Sequence, residues 1–403
     1  MEAEPKLQKF SLSLLGSNFA SIFGDTLYRF ALNWFLVASY GNAKVIGWLS
    51  AFGFVIYLLN DIYVGALLDR FNRKWLLVGA DLGGALGLLS LAWFVNPAMP
   101  QIWLLALLTL ILNIDISFAY PASRAIIPDV IAGQHISRFN AWASAAFSTG
   151  QSLGPLVGGL LLQLKWIDLR SFLLLYGVML LVTAGINLGI RYHPTPFVKT
   201  NENFLTSMVL GYKYVVAQPK LFESMLLTMW SNLFFEGFVV AMPYLVQKVY
   251  LGTAANYALM LTFSAVAGIV AALILARFPQ YNGMRTLYID FGVLAVLFIV
   301  GAFSHSIWIL GALIIAFGFV RETFVIKIMT VRQQASAPEY LGRVFGISFL
   351  VTDLFVPFIA VLVGYAVGPL GRWTILLMGL ILFTGMLVIR WVVYRRNQKM
   401  INA

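Results

Sequence analysis

The chain has 403 residues, of which 61% are hydrophobic and only 11% charged. Soluble domains carry about 25% charged residues, so most of this surface has to face something other than water. The formal charge of +11 does not mark a nucleic-acid binder, because the basic residues sit in short clusters between apolar runs, and the lack of cysteine excludes disulfides, thiolate chemistry and Cys-ligated metals.

A bilayer core takes roughly 20 apolar residues per helix. In chain order the apolar runs predict spans at 11–38, 44–66, 74–94, 102–122, 138–163, 170–190, 220–247, 253–276, 284–303, 307–330, 344–367 and 372–392. The start, Met1 to Lys9, is short and charged. The first run outlasts a signal-peptide core and no small-residue cleavage site follows it, which predicts an uncleaved first helix. Asn96-Pro97 and Ser304-His305-Ser306 read as turns between antiparallel neighbours. About twenty Lys and Arg residues fall on the side of the N-terminus against about five opposite, with Arg29 and Arg321 inside helices. That asymmetry predicts an even number of spans with both termini cytoplasmic.

The longest connection, 191–219, opens on His193-Pro194-Thr195-Pro196, which favours extended backbone. Leu205, Met208, Val209, Tyr212, Val215 and Val216 then recur at helical spacing, as in an amphipathic helix lying on a membrane surface. The two sides of this linker repeat each other weakly. Asp69-Arg70-Phe71 with Asp81 is echoed by Ala276-Arg277-Phe278 with Asp290, and Ala125–Asp129 by Ala335–Glu339 at an offset of about 210 residues. The expectation is an all-α membrane protein of about twelve transmembrane helices in two pseudo-symmetric six-helix bundles. The bundles are 1–190 and 220–403, joined by the linker 191–219.

Three local patterns carry more than hydropathy. Gly65-Ala-Leu-Leu-Asp69-Arg70-Phe-Asn-Arg73-Lys74 joins the second and third helices. Its Gly permits close helix approach, and Asp69 can pair with the basic residues or a helix N-terminus. Gly150-Gln-Ser-Leu-Gly154-Pro155-Leu-Val-Gly158-Gly159 puts a small-residue groove and a weakened helix ladder into the fifth helix. Pro338-Glu339-Tyr340-Leu341-Gly342-Arg343-Val344-Phe345 enters the eleventh.

The first pattern resembles the signature loop of the major facilitator superfamily, with Asn72 where that family usually has Gly. The second resembles the antiporter motif of its drug–proton exporters. The third, with Ala122–Asp129, is similar to the macrolide-efflux and siderophore-exporter branch, and the resemblance covers nearly the whole chain. It implies the major facilitator fold, with Gly65, Asp69, Arg70, Arg73 and Lys74 as a cytoplasmic latch. Drug–proton antiporters usually carry an arginine in the fourth helix; this fourth helix has Asp115 and no arginine before Arg124.

A charge inside a transmembrane helix costs roughly 2.5–3.5 kcal/mol on insertion scales, so each one points to function. Asp25 and Arg29, four apart, can pair on one face of the first helix, with Asn18, Ser21 and Asn33 along the same stripe. With Asp115, Glu236, Arg321, Glu322 and Asp353 they are the candidates for a central cavity and for proton coupling. Asp81 and Asp290 read as repeat-related partners of loop arginines. Asn33, Trp34, Tyr57, Trp230, Asn232, Phe234 and Phe235 are candidates for a substrate wall. The three histidines lie in loops with no metal spacing, and no phosphate loop, nucleophile motif or cofactor signature occurs.

The expected activity is therefore not enzymatic. It is secondary active transport, a proton-coupled export of an amphipathic small molecule such as a drug or macrolide, by a monomer in a bacterial inner membrane. Export of a siderophore or a lipid-like metabolite on the same fold is the near alternative. A non-transporting receptor or scaffold is the distant one, since it needs no charged interior.

Overall fold

The computed structural model describes residues 8–163, 167–192, 204–278, 284–337, 340, 344 and 354–401, and these are almost entirely helical. Helix α1 (Leu12–Tyr40) begins where the Ser11 hydroxyl accepts from the Leu14 N–H at 3.3 Å. It stops at Gly41, whose left-handed φ of 66° lets its N–H reach the Val37 carbonyl at 2.9 Å. There follow α2 (Lys44–Arg70), α3 (Arg73–Ala92), α4 (Ile102–Ala125), the single turn α5 (Ile127–Val130), α6 (Gly133–Gln163) and α7 (Leu169–Leu188). Asp168 caps α7 through Oδ1, which accepts from the N–H and hydroxyl of Ser171 at 2.9 and 2.8 Å. Gln8 pairs with the end of α5, donating to the Val130 carbonyl and accepting from the Ala132 N–H.

The later helices are α8 (Phe204–Ala217), α9 (Pro219–Tyr244), α10 (Ala254–Arg277), α11 (Met284–Gly301), α12 (Ile307–Ala335), α13 (Val356–Leu370) and α14 (Trp373–Ile401). Pro219 stands in the first turn of α9, where a missing N–H costs nothing. Pro243 stands near the end of α9, and the chain widens into a π-helical turn over Leu245–Val249 just beyond it.

Eight of these helices are long and apolar enough to cross a membrane, and the shorter apolar stretches Lys44–Asn60 and Val356–Leu370 add to them. Helices α1 and α6 are as long but more polar. Apolar side chains cover the outside of the protein, and exposed tryptophans gather near helix ends: Trp75, Trp93, Trp103, Trp308 and Trp373. That is the placement of residues at a membrane–water boundary.

Two helices run on past their expected ends. Helix α12 reaches Ala335 because the cations at its far end have partners: Lys327 is ion-paired to Asp290, and Arg332 donates to the Thr228 hydroxyl at 2.7 Å. Lys327 falls near the end of the expected span and Arg332 beyond it; both are nearly fully buried. Helix α14 continues through Arg395, which lies over the Trp391 ring, and Arg396, which donates to the Val216 carbonyl at the end of α8. Of the linker, α8 packs inward through Val215 and through Tyr214, stacked on Tyr340 at 4.1 Å, while Val209 and Tyr212 stay exposed.

Contacts gather the chain into two compact units. The first comprises Met1–Gly41, Phe52–Lys199 and Ala254–Thr262; the second comprises Asn42–Ala51, Thr200–Thr253 and Phe263–Ala403. The start of α2 therefore groups with the second unit, where Gly47 lies against the Ala360 backbone and the Trp48 indole donates to the Tyr365 hydroxyl at 3.4 Å. The start of α10 groups with the first.

Candidate functional site

Helix α1 is sorted by its partners into two faces. Ile22, Phe23, Thr26, Leu27 and Phe30 meet the glycines of α6: Gly150 lies against Ile22 and the backbone of Phe19 and Phe23, Gly154 against Thr26 and Leu27, and Gly158 against Phe30. A Cβ on any of the three would overlap α1, so the glycine run with Pro155 sets how closely the two helices approach. Gly159 faces Ala258 at the start of α10, where Tyr257 stacks on Phe30 at 5.5 Å and Trp34 at 6.3 Å. The other face of α1 carries Ser17, Asn18, Ser21 and Asp25, and it turns to a cavity.

That cavity, about 240 Å³, lies within the first unit and is bounded by α1, α2, α3, α4, α6 and α7. Its polar lining includes Asp25, Tyr57, Asp81, Asp115, Arg124, Tyr176, Thr183 and Asn187. Arg29 Nε donates to both Asp25 oxygens at 2.8 and 2.9 Å, and its side chain is 48% exposed while that of Asp25 is 10% exposed. Asp81 accepts from the Asn187 amide at 2.7 Å across α3 and α7. Asp115 is 2% exposed, lies within electrostatic reach of Asp81 and Asp25, and its Oδ1 has no hydrogen-bond partner among the described residues. Gly84 of α3 lies against the Asp115 side chain, and Gly24 of α1 against the Tyr176 ring. Three carboxylates thus surround one space, with Arg29 committed to one of them and Arg124 over the Tyr120 ring at the edge.

Asp81 was expected to serve a loop arginine; its hydrogen-bond partner is Asn187, from a helix 106 residues further on. Asn187 and Tyr176 carried no sequence signal beyond being polar in apolar runs. Asp290 likewise pairs with buried Lys327 rather than a loop arginine.

In the second unit Arg321 is exposed and within electrostatic reach of Glu322 and Glu236. Glu322 lies over Gly268 of α10. Asn232 lies one turn before Glu236 on α9. Phe234 and Phe235 pack with Phe298, Phe317 and Phe324 in an aromatic core, and Trp230 packs on Gly385 of α14. Asn33 and Trp34 are half-buried on α1 beyond Arg29. Asp353 and most of the Pro338–Phe345 pattern lie outside the described residues.

At the α2–α3 junction Gly65, Asp69 and Arg70 are helical, and their side chains lie outside the described set. Asn72 does not take the left-handed conformation open to it; with φ −66° and ψ 114° it caps α3, its Oδ1 accepting from the Lys74 and Trp75 N–H groups. Arg73 donates at 3.0 Å to Asp129, which is 1% exposed, and at 3.0 Å to the Ala125 carbonyl. Lys74 donates to the Leu188 and Ile190 carbonyls at 2.7 and 2.9 Å, where a cation offsets the C-terminal dipole of α7. Tyr192 is close by, and its hydroxyl pKa is raised by burial and then by the Asp129 charge.

A family model described as Major Facilitator Superfamily matches residues 14–356. The Staphyloferrin A transporter of Staphylococcus aureus is 22% identical over 298 residues, covering 73% of this chain and 74% of that protein. Macrolide efflux protein A of Streptococcus pyogenes is 23% identical over 346 residues, 84% of each chain. Among solved structures, a bacterial homologue of the human lysosomal transporter Spinster, inward-facing and unoccupied, superposes with a TM-score of 0.74 at 13% identity, covering 95% of this chain and 96% of that one. The nucleoside transporter NupG gives 0.68 at 14%, covering 95% and 98%. At such identities the structures establish the fold alone, and the fold is the major facilitator one.

Proposed function

The chain belongs to the Major Facilitator Superfamily, and on that premise we propose that it is a proton-coupled exporter of an amphipathic small molecule, such as a drug or macrolide. The observation that carries this reading is the trio of carboxylates around the first unit's cavity, with Asp115 Oδ1 buried and without a hydrogen-bond partner among the described residues. An uncompensated charge at membrane depth is costly, so such a site works best with a positive charge supplied from outside. A proton on Asp115 or Asp81 supplies it in one half of the cycle, and a cationic group on the cargo supplies it in the other. Competition for the same carboxylates then links the two fluxes. Asp25 is held by Arg29, which answers for the missing fourth-helix arginine by supplying a cation from α1 instead.

Glu236, Arg321 and Glu322 are proposed as a second charge set of the same kind. Asp69 and Arg70 are proposed to work with the Arg73–Asp129 pair as the latch. Tyr57 is the wall candidate that lines the cavity, and Asn33 and Trp34 are proposed to shape its surroundings; Trp230, Asn232, Phe234 and Phe235 are proposed as wall residues within the second unit. We place the protein, as a monomer, in a bacterial cytoplasmic membrane with both termini inside, and divide it at the linker 191–219 into two six-helix bundles.

The test is uptake of a lipophilic amine into proteoliposomes with an imposed pH gradient. An acid lumen should drive uptake, a protonophore should abolish it, and Asp115→Asn should uncouple it. Uptake indifferent to the gradient, with Asp25, Asp115, Glu236 and Glu322 each replaceable, overturns the reading. A siderophore is the second cargo to test, favoured by the likeness to the Staphyloferrin A transporter and by the exposed cations Arg29 and Arg124. An anionic cargo of that kind would depend on those arginines and not on Asp115.

A further inference from the structure

A second space touches the same carboxylate from the outside. Between α3 and α4 runs a groove of about 430 Å³ lined by Trp75, Gly79, Gly83, Ile111, Ile114 and Asp115, among others. A Cβ built at Gly79 or at Gly83 meets nothing within 4 Å, so the missing side chains leave open room. Trp75 and Ile114 beside them are exposed at 61% and 39%, on a protein whose exposed apolar surface faces lipid. The floor is Asp115, which lines both this groove and the internal cavity and whose Oδ1 has no hydrogen-bond partner among the described residues. Small residues alone would mark a packing seam; a buried, unpaired carboxylate at the bottom of the seam does not fit that use.

We propose that the α3–α4 groove is a port from the bilayer for an amphiphile bearing one protonated amine, whose cation meets Asp115 while its apolar body lies along Gly79 and Gly83. Charge complementarity selects this occupant. A neutral acyl chain fills the groove but leaves Asp115 uncompensated, and an anionic headgroup is repelled. The volume suits a drug-sized apolar body, and Trp75, in the first turn of α3, stands where amphiphiles partition. The inference rests on the transport reading above, naming the charge of the cargo and its route to the same cavity.

The experiment uses the full chain in phosphatidylcholine vesicles and a dodecylammonium probe with a mid-chain diazirine, reading the photolabelled peptides by mass spectrometry. Label is expected within 75–84 and 111–118, and excess dodecylamine should displace it. Gly83→Leu sets its Cβ where nothing lies within 4 Å, extends into the groove and raises helix propensity; it and Asp115→Asn should each cut labelling roughly tenfold. Gly185→Leu, equally unobstructed on α7, should leave labelling unchanged. Equal labelling by the uncharged dodecanol probe, surviving Asp115→Asn, overturns the proposal and leaves a lipid seam. Groove labelling without gradient-driven flux removes the transport reading and keeps the port. Flux without groove labelling removes the port.

Discussion

Asp81 and Asp290, which the sequence reads as repeat-related, lie on α3 and α11, yet their surroundings differ in kind. Asp290 is ion-paired with Lys327 of α12 and is charge-neutral as a unit. Asp81 is 1% exposed, accepts a hydrogen bond from the Asn187 amide, and has Asp115 within electrostatic reach. A half-buried carboxylate matched by a buried cation is a fixed part of the scaffold. One matched by an amide still needs a charge from elsewhere. Two aspartates that the sequence reads as repeat-related thus have partners of different kinds, a cation from α12 for Asp290 and an amide from α7 for Asp81.

The largest test breaks the paired side. Asp290→Leu should cost about 3–5 kcal/mol, because Lys327, whose side chain is 3% exposed, is left buried without its carboxylate; thermal denaturation in detergent reads it. Adding Lys327→Met should return most of that loss. If the single variant is as stable as the parent, the pair is not structural and the contrast fails.

Arg332→Met probes the same side more gently. It removes hydrogen bonds to Thr228 and Ser224, with an expected loss of about 1.5–3 kcal/mol in the same melt.

On the other side, Asn187→Leu takes away the amide on Asp81, and a loss of about 1–3 kcal/mol is expected at neutral pH. Asp81→Asn placed on top should recover it, since the carboxylate's need goes with the carboxylate. A destabilised double variant would mean that Asp81 is held by more than that amide.

The smallest structural effect belongs to Asp115→Asn. It should leave stability within about 0.5 kcal/mol or raise it, since Oδ1 makes no bond to lose, while flux under a pH gradient falls by at least about tenfold. Loss of fold and loss of flux together would place Asp115 on the scaffold side of the comparison.

Most of the fold was legible in the sequence because hydropathy is a local sum. The run 102–122 became Ile102–Ala125, and 170–190 became Leu169–Leu188. A helix end was misjudged where charges intervene: Arg332 lies beyond the predicted end at 330, and its burial, like that of Lys327, depends on partners on α9 and α11. The pairing of Asp25 with Arg29 was visible because four residues on a helix bring side chains together. Asn72 as a cap follows the local preference of asparagine for that position.

By itself the sequence determined a membrane-spanning, all-helical chain and its superfamily, since both rest on composition and on motifs a few residues long. Only the tertiary structure decided which of the membrane carboxylates keep a partner. That choice depends on which helices touch, and contacts between residues 37 or 106 positions apart leave no periodicity to read. Asp115 looked like any lone aspartate in an apolar run. Its place between an inner cavity and a lipid-facing groove comes from Gly84 and Gly83 on the neighbouring helix, where missing side chains let the one helix close on the other and leave space beside it.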